Sequence, residues 1–227
     1  VVQPALDLAR KGFPITDSQV EEFTELQEGI KKFNPGKSYF IKEKWAKGDL
    51  WIQEDLAKTL ELIRDKGREG FYAGEVADHI EAEMKSGGGL ISKEDLKNYQ
   101  SQWREPLVGY YKEYKVITMP PTSSGGIALL QLLNSVEEYP LRRWGHNSDS
   151  TVQVMVEAER RVYADRASHL GDPDFYKVPQ KYLVNPIYSK YRMENFNWDK
   201  ATLSSDIKAG EVPKESEETT HFSIVDR

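Results

Sequence analysis

The sequence predicts an α+β fold, predominantly helical, with one β-hairpin and a strand at its C-terminal end. Three observations carry that reading. Apolar residues recur at three- and four-residue spacing over most of the chain, a stretch near its middle alternates with period two around a short turn, and the last residues alternate again. With 227 residues, 38% of them hydrophobic and 8 Phe, 5 Trp and 12 Tyr among them, the chain can bury one substantial core or two small ones.

The elements follow in order. "PALDLARKGFP" places Pro4 in the first helical turn, where no backbone N–H is needed, and Gly12 as the stop. "TDSQVEEFTELQEGI" offers Thr16 or Asp17 as the N-cap and puts Val20, Phe23 and Leu26 on one face. "NPGKSYFIKEKWAKGD" reads as a turn and extended chain around Tyr39 to Ile41. "DLWIQEDLAKTLELIRDKG" repeats Ile52, Leu56, Leu60 and Ile63 at helical spacing and ends at Gly67. "GFYAGEVADHIEAEMKSGGG" predicts another helix with Val76, Ile80 and Met84 in line, and Ser92 with Asp95 in "SKEDLKNY" resembles a capping box.

The texture then changes. "PLVGYYKEYKVITMPP" alternates around a turn near Lys112 and predicts a β-hairpin. "TSSGGIALLQLLNSVEEYP" predicts a buried helix from about Ser123. "NSDSTVQVMVEAERRVYADRASHLGDPDF" predicts a long amphipathic helix with Val152, Met155, Val156, Val162 and Tyr163 facing inward. "NPIYSKYRMENF" is a shorter helix, "AGEVPKESEE" (209–218) a polar linker, and "TTHFSIVDR" (219–227) the final strand.

Composition excludes several classes of function. The net charge is −6 and the lysines are scattered among carboxylates, so the basic stripe that nucleic acid requires is missing. No apolar run approaches the roughly 20 residues of a membrane span. There is no Cys, hence no disulfide and no thiolate metal site. His79, His146, His169 and His221 show no metal-ligand spacing, and there is no Walker loop, GxGxxG or GxSxG, so neither metal nor cofactor is predicted. Asp172 and Asp174 in "GDPDF" stand two apart, as a metal or glycosidase pair could, but Asp-Pro-Asp after a long helix is more often a turn. "TSSGGI" could cradle an anion on backbone amides, or be a serine N-cap followed by glycines that let a helix pack closely.

Thr219 and Thr220 are the remaining chemical signal. A threonine pair that opens a strand is usually structural, because β-branched residues favour strands. A threonine hydroxyl becomes a useful nucleophile when a base stands beside it, and one solution is the threonine's own N-terminal amine, with a pKa of about 7.7–8.0. An internal threonine gains that amine only if the preceding bond is cut. The acidic linker is a suitable place for such a cut. The chain also begins in what reads as mid-helix text and stops soon after a strand starts, so a segment of a longer protein is expected.

"TTHFSIVD" resembles the processing site of the γ-glutamyltranspeptidase family. "VVQPALDLARKGFPI", "GFYAGEVADHIEAEMKSGGGLISKEDLKNY", "MPPTSSGGIALLQLLN" and "EAERRVYADRASHLGDPDF" resemble that family's large subunit in the same order, so the likeness covers essentially the whole chain. The resemblance implies that residues 1–218 are the later part of a large subunit and 219–227 the start of a small one. Together they form one incomplete domain of a four-layer αββα sandwich of the N-terminal-nucleophile hydrolase type. It implies cleavage between Glu218 and Thr219 by the Thr219 hydroxyl. Thr219 then transfers a γ-glutamyl group from glutathione or a related amide to water or to an acceptor amino acid or peptide. No cofactor is implied. Thr220, His221 and Ser223 match the motif without a chemical role beyond holding the strand. The expected partners are the rest of the large subunit and the small subunit of the same precursor, which carry the other substrate-holding groups, so the segment alone is expected to be inactive. Relatives are commonly periplasmic, secreted or on the cell surface. Two other readings stay open: a related acylase with another acyl donor, cephalosporin-acylase-like or capsule-depolymerase-like, and a non-catalytic helical binding module.

Overall fold

The computed structural model of the chain describes residues 1–34 and 38–212, and the strand expected at 219–227 lies outside them. The chain divides into two compact units, Val1–Ser101 and a second that begins at Gln102.

In the first unit, α1 (Gln3–Lys11) stops at Gly12, whose φ of +76° and 2.7 Å spacing from a would-be Cβ to the Ile52 side chain leave room for no other residue. The next residues form β1 (Phe13–Pro14), which pairs antiparallel with β2 (Leu50–Trp51). The extended chain expected at Tyr39 to Ile41 is therefore displaced; Tyr39 and Phe40 sit in a turn. Tryptophan hydrogen bonding explains the shift. The indole N–H groups of Trp51 and Trp45 donate to the carbonyls of Tyr39 and Phe40, each at 3.2 Å, which leaves those carbonyls unavailable to a ladder. Phe23 fills the space between the two indoles, with ring centroids 5.2 Å and 4.9 Å away.

Local rules hold well in the rest of this unit. Thr16 is the cap of α2 (Asp17–Phe33), in a reciprocal capping box with Gln19. Phe23 is buried there, whereas Leu26 is exposed. In α3 (Glu54–Lys66) Ala57 is the buried residue, Leu60 and Ile63 are half-buried, and Leu56 is exposed, as is Ile52 just before the helix. The helix expected from Gly70 onward is two, α4 (Glu69–Tyr72) and α5 (Gly74–Gly87), because Ala73 is extended and Gly74 takes φ +62°. Val76, Ile80 and Met84 line the half-buried face of α5, and Ser92 and Asp95 cap α6 (Lys93–Asn98) reciprocally.

The second unit opens on the predicted hairpin. β3 (Leu107–Tyr111) and β4 (Tyr114–Thr118) pair antiparallel from Leu107↔Thr118 to Tyr111↔Tyr114, with Lys112 at φ +52° in the turn. α7 (Gly125–Val136) packs on this hairpin and on two further helices, α9 (Asp149–His169) and α11 (Pro186–Met193), with α8 (Leu141–Trp144) and α10 (Gln180–Leu183) as short connectors. Ile127 and Leu130 of α7 join Leu107, Leu183 and Tyr188 in one core cluster; Val136 joins Val154, Ala158 and Met193 in another.

The inward face of α9 differs from expectation. Val152, Val156 and Tyr163 are exposed, and the buried positions are Val154, Glu157, Ala158, Arg161, Val162 and Asp165. Three charged residues replace three of the apolar ones.

Gly126 sets the distance between α7 and the end of β4: a Cβ there would stand 1.9 Å from the Met119 carbonyl oxygen. Gly126→Ala must push helix and strand apart, so we expect a loss of about 2 kcal/mol or more in urea unfolding, as for other overpacked sites. An unchanged midpoint would contradict this packing.

Candidate functional site

Glu218 and Thr219 lie outside the described residues, as do Thr220, His221 and Ser223. The structure does describe the chain that leads toward them, residues 195–212, and what holds it.

This segment has almost no regular structure and is fastened along α9 by side chains. Gln153 Nε2 donates to the carbonyls of Asn197 and Trp198 (3.2 and 2.8 Å). Arg160 donates to the Thr202 carbonyl (2.6 Å) and the Ser204 hydroxyl (2.9 Å). Arg161, 2% exposed, donates to Asn195 Oδ1 (2.7 Å) and is paired with Glu157 one turn earlier. Glu157 in turn accepts from the backbone N–H and the hydroxyl of Thr202 (2.8 and 2.6 Å). Burial pushes the Glu157 carboxyl up, but the Thr202 hydroxyl, Arg161 and the Thr202 N–H outweigh it and hold the carboxyl below its ordinary value.

Two turns further along, Asp165 anchors the end of the described chain. It is 1% exposed, and its two oxygens take four hydrogen bonds and one further ion-pair contact. Oδ2 accepts from Gln131 Nε2 (2.9 Å), the Tyr188 hydroxyl (2.9 Å) and Arg192 Nε (3.1 Å); Oδ1 accepts from the Gly210 N–H (2.7 Å) and is ion-paired with Arg192 Nη2 (3.0 Å). Arg192 Nη2 also donates to the Lys208 carbonyl (2.7 Å), and His169 Nε2 lies 2.8 Å from the Gly210 carbonyl oxygen. Burial, the Asp165 charge and its hydrogen bond push the Tyr188 phenol well above the ordinary tyrosine range, so it stays a donor.

The beginning of the expected linker is thus packed: Gly210 is buried and Val212 lies against the core cluster of α7 and α11. Periodicity missed these anchors. The available signal was the spacing of Glu157, Arg161 and Asp165 at i, i+4 and i+8, a single stripe of α9.

Neither carboxylate is free to act as acid or base, since both are filled by donors. The other candidates also resolve as structure. Asp172 accepts from the Asp174 N–H (3.0 Å) in a turn, and Asp174 pairs with Arg104 (2.6 Å). In "TSSGGI" the close packing holds at Gly126, but the serine N-cap does not: Ser124 stands at the N-cap of α7 without capping it, because its Oγ accepts from Arg166 Nε (2.8 Å), while Ser123 Oγ accepts from the Gly125 N–H (3.3 Å). Among the described residues no group of three His, Asp or Glu is placed to hold a metal ion, and no helix is long and apolar enough to cross a membrane.

Comparison with known proteins places this scaffold. The chain is 44% identical over 231 residues to the glutathione hydrolase proenzyme of Escherichia coli (strain K12), an alignment covering 100% of this chain and 40% of that protein. It is 34% identical over 229 residues to the acylase ACY 1 proenzyme of Pseudomonas sp. (strain V22), again covering 100% of this chain and 40% of the relative. The crystal structure of Helicobacter pylori gamma-glutamyltranspeptidase superposes with a TM-score of 0.86 at 42% identity, over 95% of this chain and 63% of that one. The chain therefore spans about two fifths of the length of these curated relatives. The gamma-glutamyltranspeptidase family model matches residues 1–227 without remainder, and the chain belongs to that family.

Proposed function

We propose that the full-length protein is a proenzyme that cuts itself between Glu218 and Thr219 and then transfers or hydrolyses γ-glutamyl groups. Residues 1–218 are then the later part of the large subunit, and Thr219 the first residue of the small one. The observation that carries this reading is the 44% identity to a glutathione hydrolase proenzyme across the whole chain, with a threonine pair at the end of an acidic stretch.

The chemistry balances with one hydroxyl used twice. Thr219 Oγ attacks the Glu218 carbonyl carbon, moving the acyl group from nitrogen to oxygen. Water then hydrolyses that ester, releasing the Glu218 carboxylate and the Thr219 α-amine. The amine takes the hydroxyl proton when Oγ attacks the γ-carbonyl of glutathione or a related amide, and passes it to the departing nitrogen. The γ-glutamyl ester is resolved by water or by an acceptor amino acid or peptide. The parent architecture proposed is the four-layer αββα sandwich.

A second reading, an acylase with another acyl donor, has its support in the 34% identity to an acylase proenzyme, ten points below the glutathione hydrolase relative. Mass spectrometry of the purified full-length protein is the test: two fragments meeting between Glu218 and Thr219 are expected, and an intact chain after prolonged incubation overturns the proposal. Release of glutamate from a γ-glutamyl amide, but of no other acyl group from its amide, separates the first reading from the second.

A further inference from the structure

Gly210 is held at both of its peptide groups, its N–H by Asp165 and its carbonyl by His169. It is also the only residue type that fits. A Cβ there would lie 2.2 Å from the Tyr188 hydroxyl and 2.7 Å from Arg192 Cδ, and the Tyr188 ring is packed in the core at 3% exposure. Tyr188 and Arg192 are themselves fastened to Asp165, and Gln131 supports Asp165 from α7. Two helices and the end of α9 thus converge on one glycine, nine residues before Thr219.

We infer that Asp165, Tyr188, Arg192 and His169 form a positioning device for self-cleavage, one that holds Gly210 and so positions the Glu218–Thr219 bond for attack by the Thr219 hydroxyl. This rests on the proenzyme reading above. Nine residues reach at most about 30 Å from Gly210. Arg192 also holds the Lys208 carbonyl, so the same cluster grips the chain at two points, eleven and nine residues before Thr219. Displacing Gly210 shifts the point from which the scissile bond is carried, and misplacing a reacting group by about 1 Å can cost on the order of 10²-fold in rate. Once the bond is cut, the nucleophile is no longer attached to Gly210. The grip then acts on maturation and not on turnover. A residue that merely stabilised the fold would affect both.

The test uses the full-length precursor, followed by gel and mass spectrometry during maturation, with turnover of a γ-glutamyl anilide normalised to the processed fraction. Gly210→Ala should slow cleavage about threefold or more while turnover per processed molecule stays within about twofold. Gly210→Ala with Tyr188→Phe removes the oxygen that the new methyl meets, so this pair should mature faster than Gly210→Ala alone. Two independent destabilising changes would instead add. If Gly210→Ala does not accumulate as folded protein, His169→Ala removes one of the two holds without adding bulk and should slow maturation in the same sense. Wild-type maturation in these variants, an equal loss of maturation and turnover, or a double variant slower than Gly210→Ala overturns the inference. The Thr219→Ala precursor is the control. If it still splits, the proenzyme reading fails; if it stays intact while Gly210→Ala matures normally, only the positioning role fails.

Discussion

Thr219→Ala in the full-length precursor is expected to leave the chain uncut and to lower γ-glutamyl turnover on the order of 10⁴-fold or more, the scale seen when a covalent nucleophile is removed. One hydroxyl serves both steps, so both are lost together. Thr219→Ser keeps the hydroxyl and the future amine but lacks the methyl that restricts χ1, so the attack geometry is held less well and both steps slow without vanishing. Thr220→Ala retains the nucleophile and is expected to cleave. Gel analysis reads the processing, and release from a chromogenic γ-glutamyl anilide reads the turnover. Should the alanine variant at 219 split and turn over while that at 220 is dead, the nucleophile is Thr220. Should neither substitution alter turnover, the protein does not use an N-terminal threonine.

That expectation rests on a motif, and the rest of the molecule shows how far sequence reasoning reaches. The capping box at Ser92–Asp95 was legible because both partners lie within one turn, whereas at α2 the sequence left the cap between Thr16 and Asp17 and the structure selects Thr16, boxed with Gln19. The hairpin was legible for the same reason, since its turn fixes its register. The short β1–β2 ladder was not, because the choice of Leu50–Trp51 over Tyr39–Ile41 depends on indole N–H groups reaching carbonyls five and twelve residues away. The inward face of α9 was misread on larger grounds. Hydropathy counts Glu157, Arg161 and Asp165 as solvent-facing, and their partners Thr202, Asn195, Arg192 and Gly210 lie 27 to 45 residues further on. Periodicity cannot anticipate a carboxylate whose lone pairs are filled at that range. The Glu218–Thr219 site shows the converse. Residue chemistry left the threonine pair ambiguous, and only the family likeness singled it out.

The second large effect is expected at Glu157. Its carboxylate and the Arg161 guanidinium are each about 3% exposed, and Glu157 also receives both donors of Thr202. Glu157→Ala removes the only carboxylate bonded to Arg161 among the described residues and leaves that cation buried, a change that typically costs about 3–5 kcal/mol. In the Thr219→Ala precursor, where processing does not intervene, the urea midpoint at pH 7 should fall accordingly. Glu157→Ala with Arg161→Met should recover part of the loss, because the uncompensated charge goes with it. The pH dependence follows from the direction of the shift. Glu157 is held below its ordinary value despite burial, so its ionised form contributes stability that is fully present above the unfolded pKa of about 4.3 and is lost as pH falls through the lower folded value. Wild type should therefore weaken on acidification below about pH 4.3, and Glu157→Gln, with no proton to take up, should lack that part of the slope. A Glu157→Ala midpoint equal to wild type at pH 7, or an acid slope unchanged in Glu157→Gln, would show that Glu157 does not fasten residues 195–204 to α9.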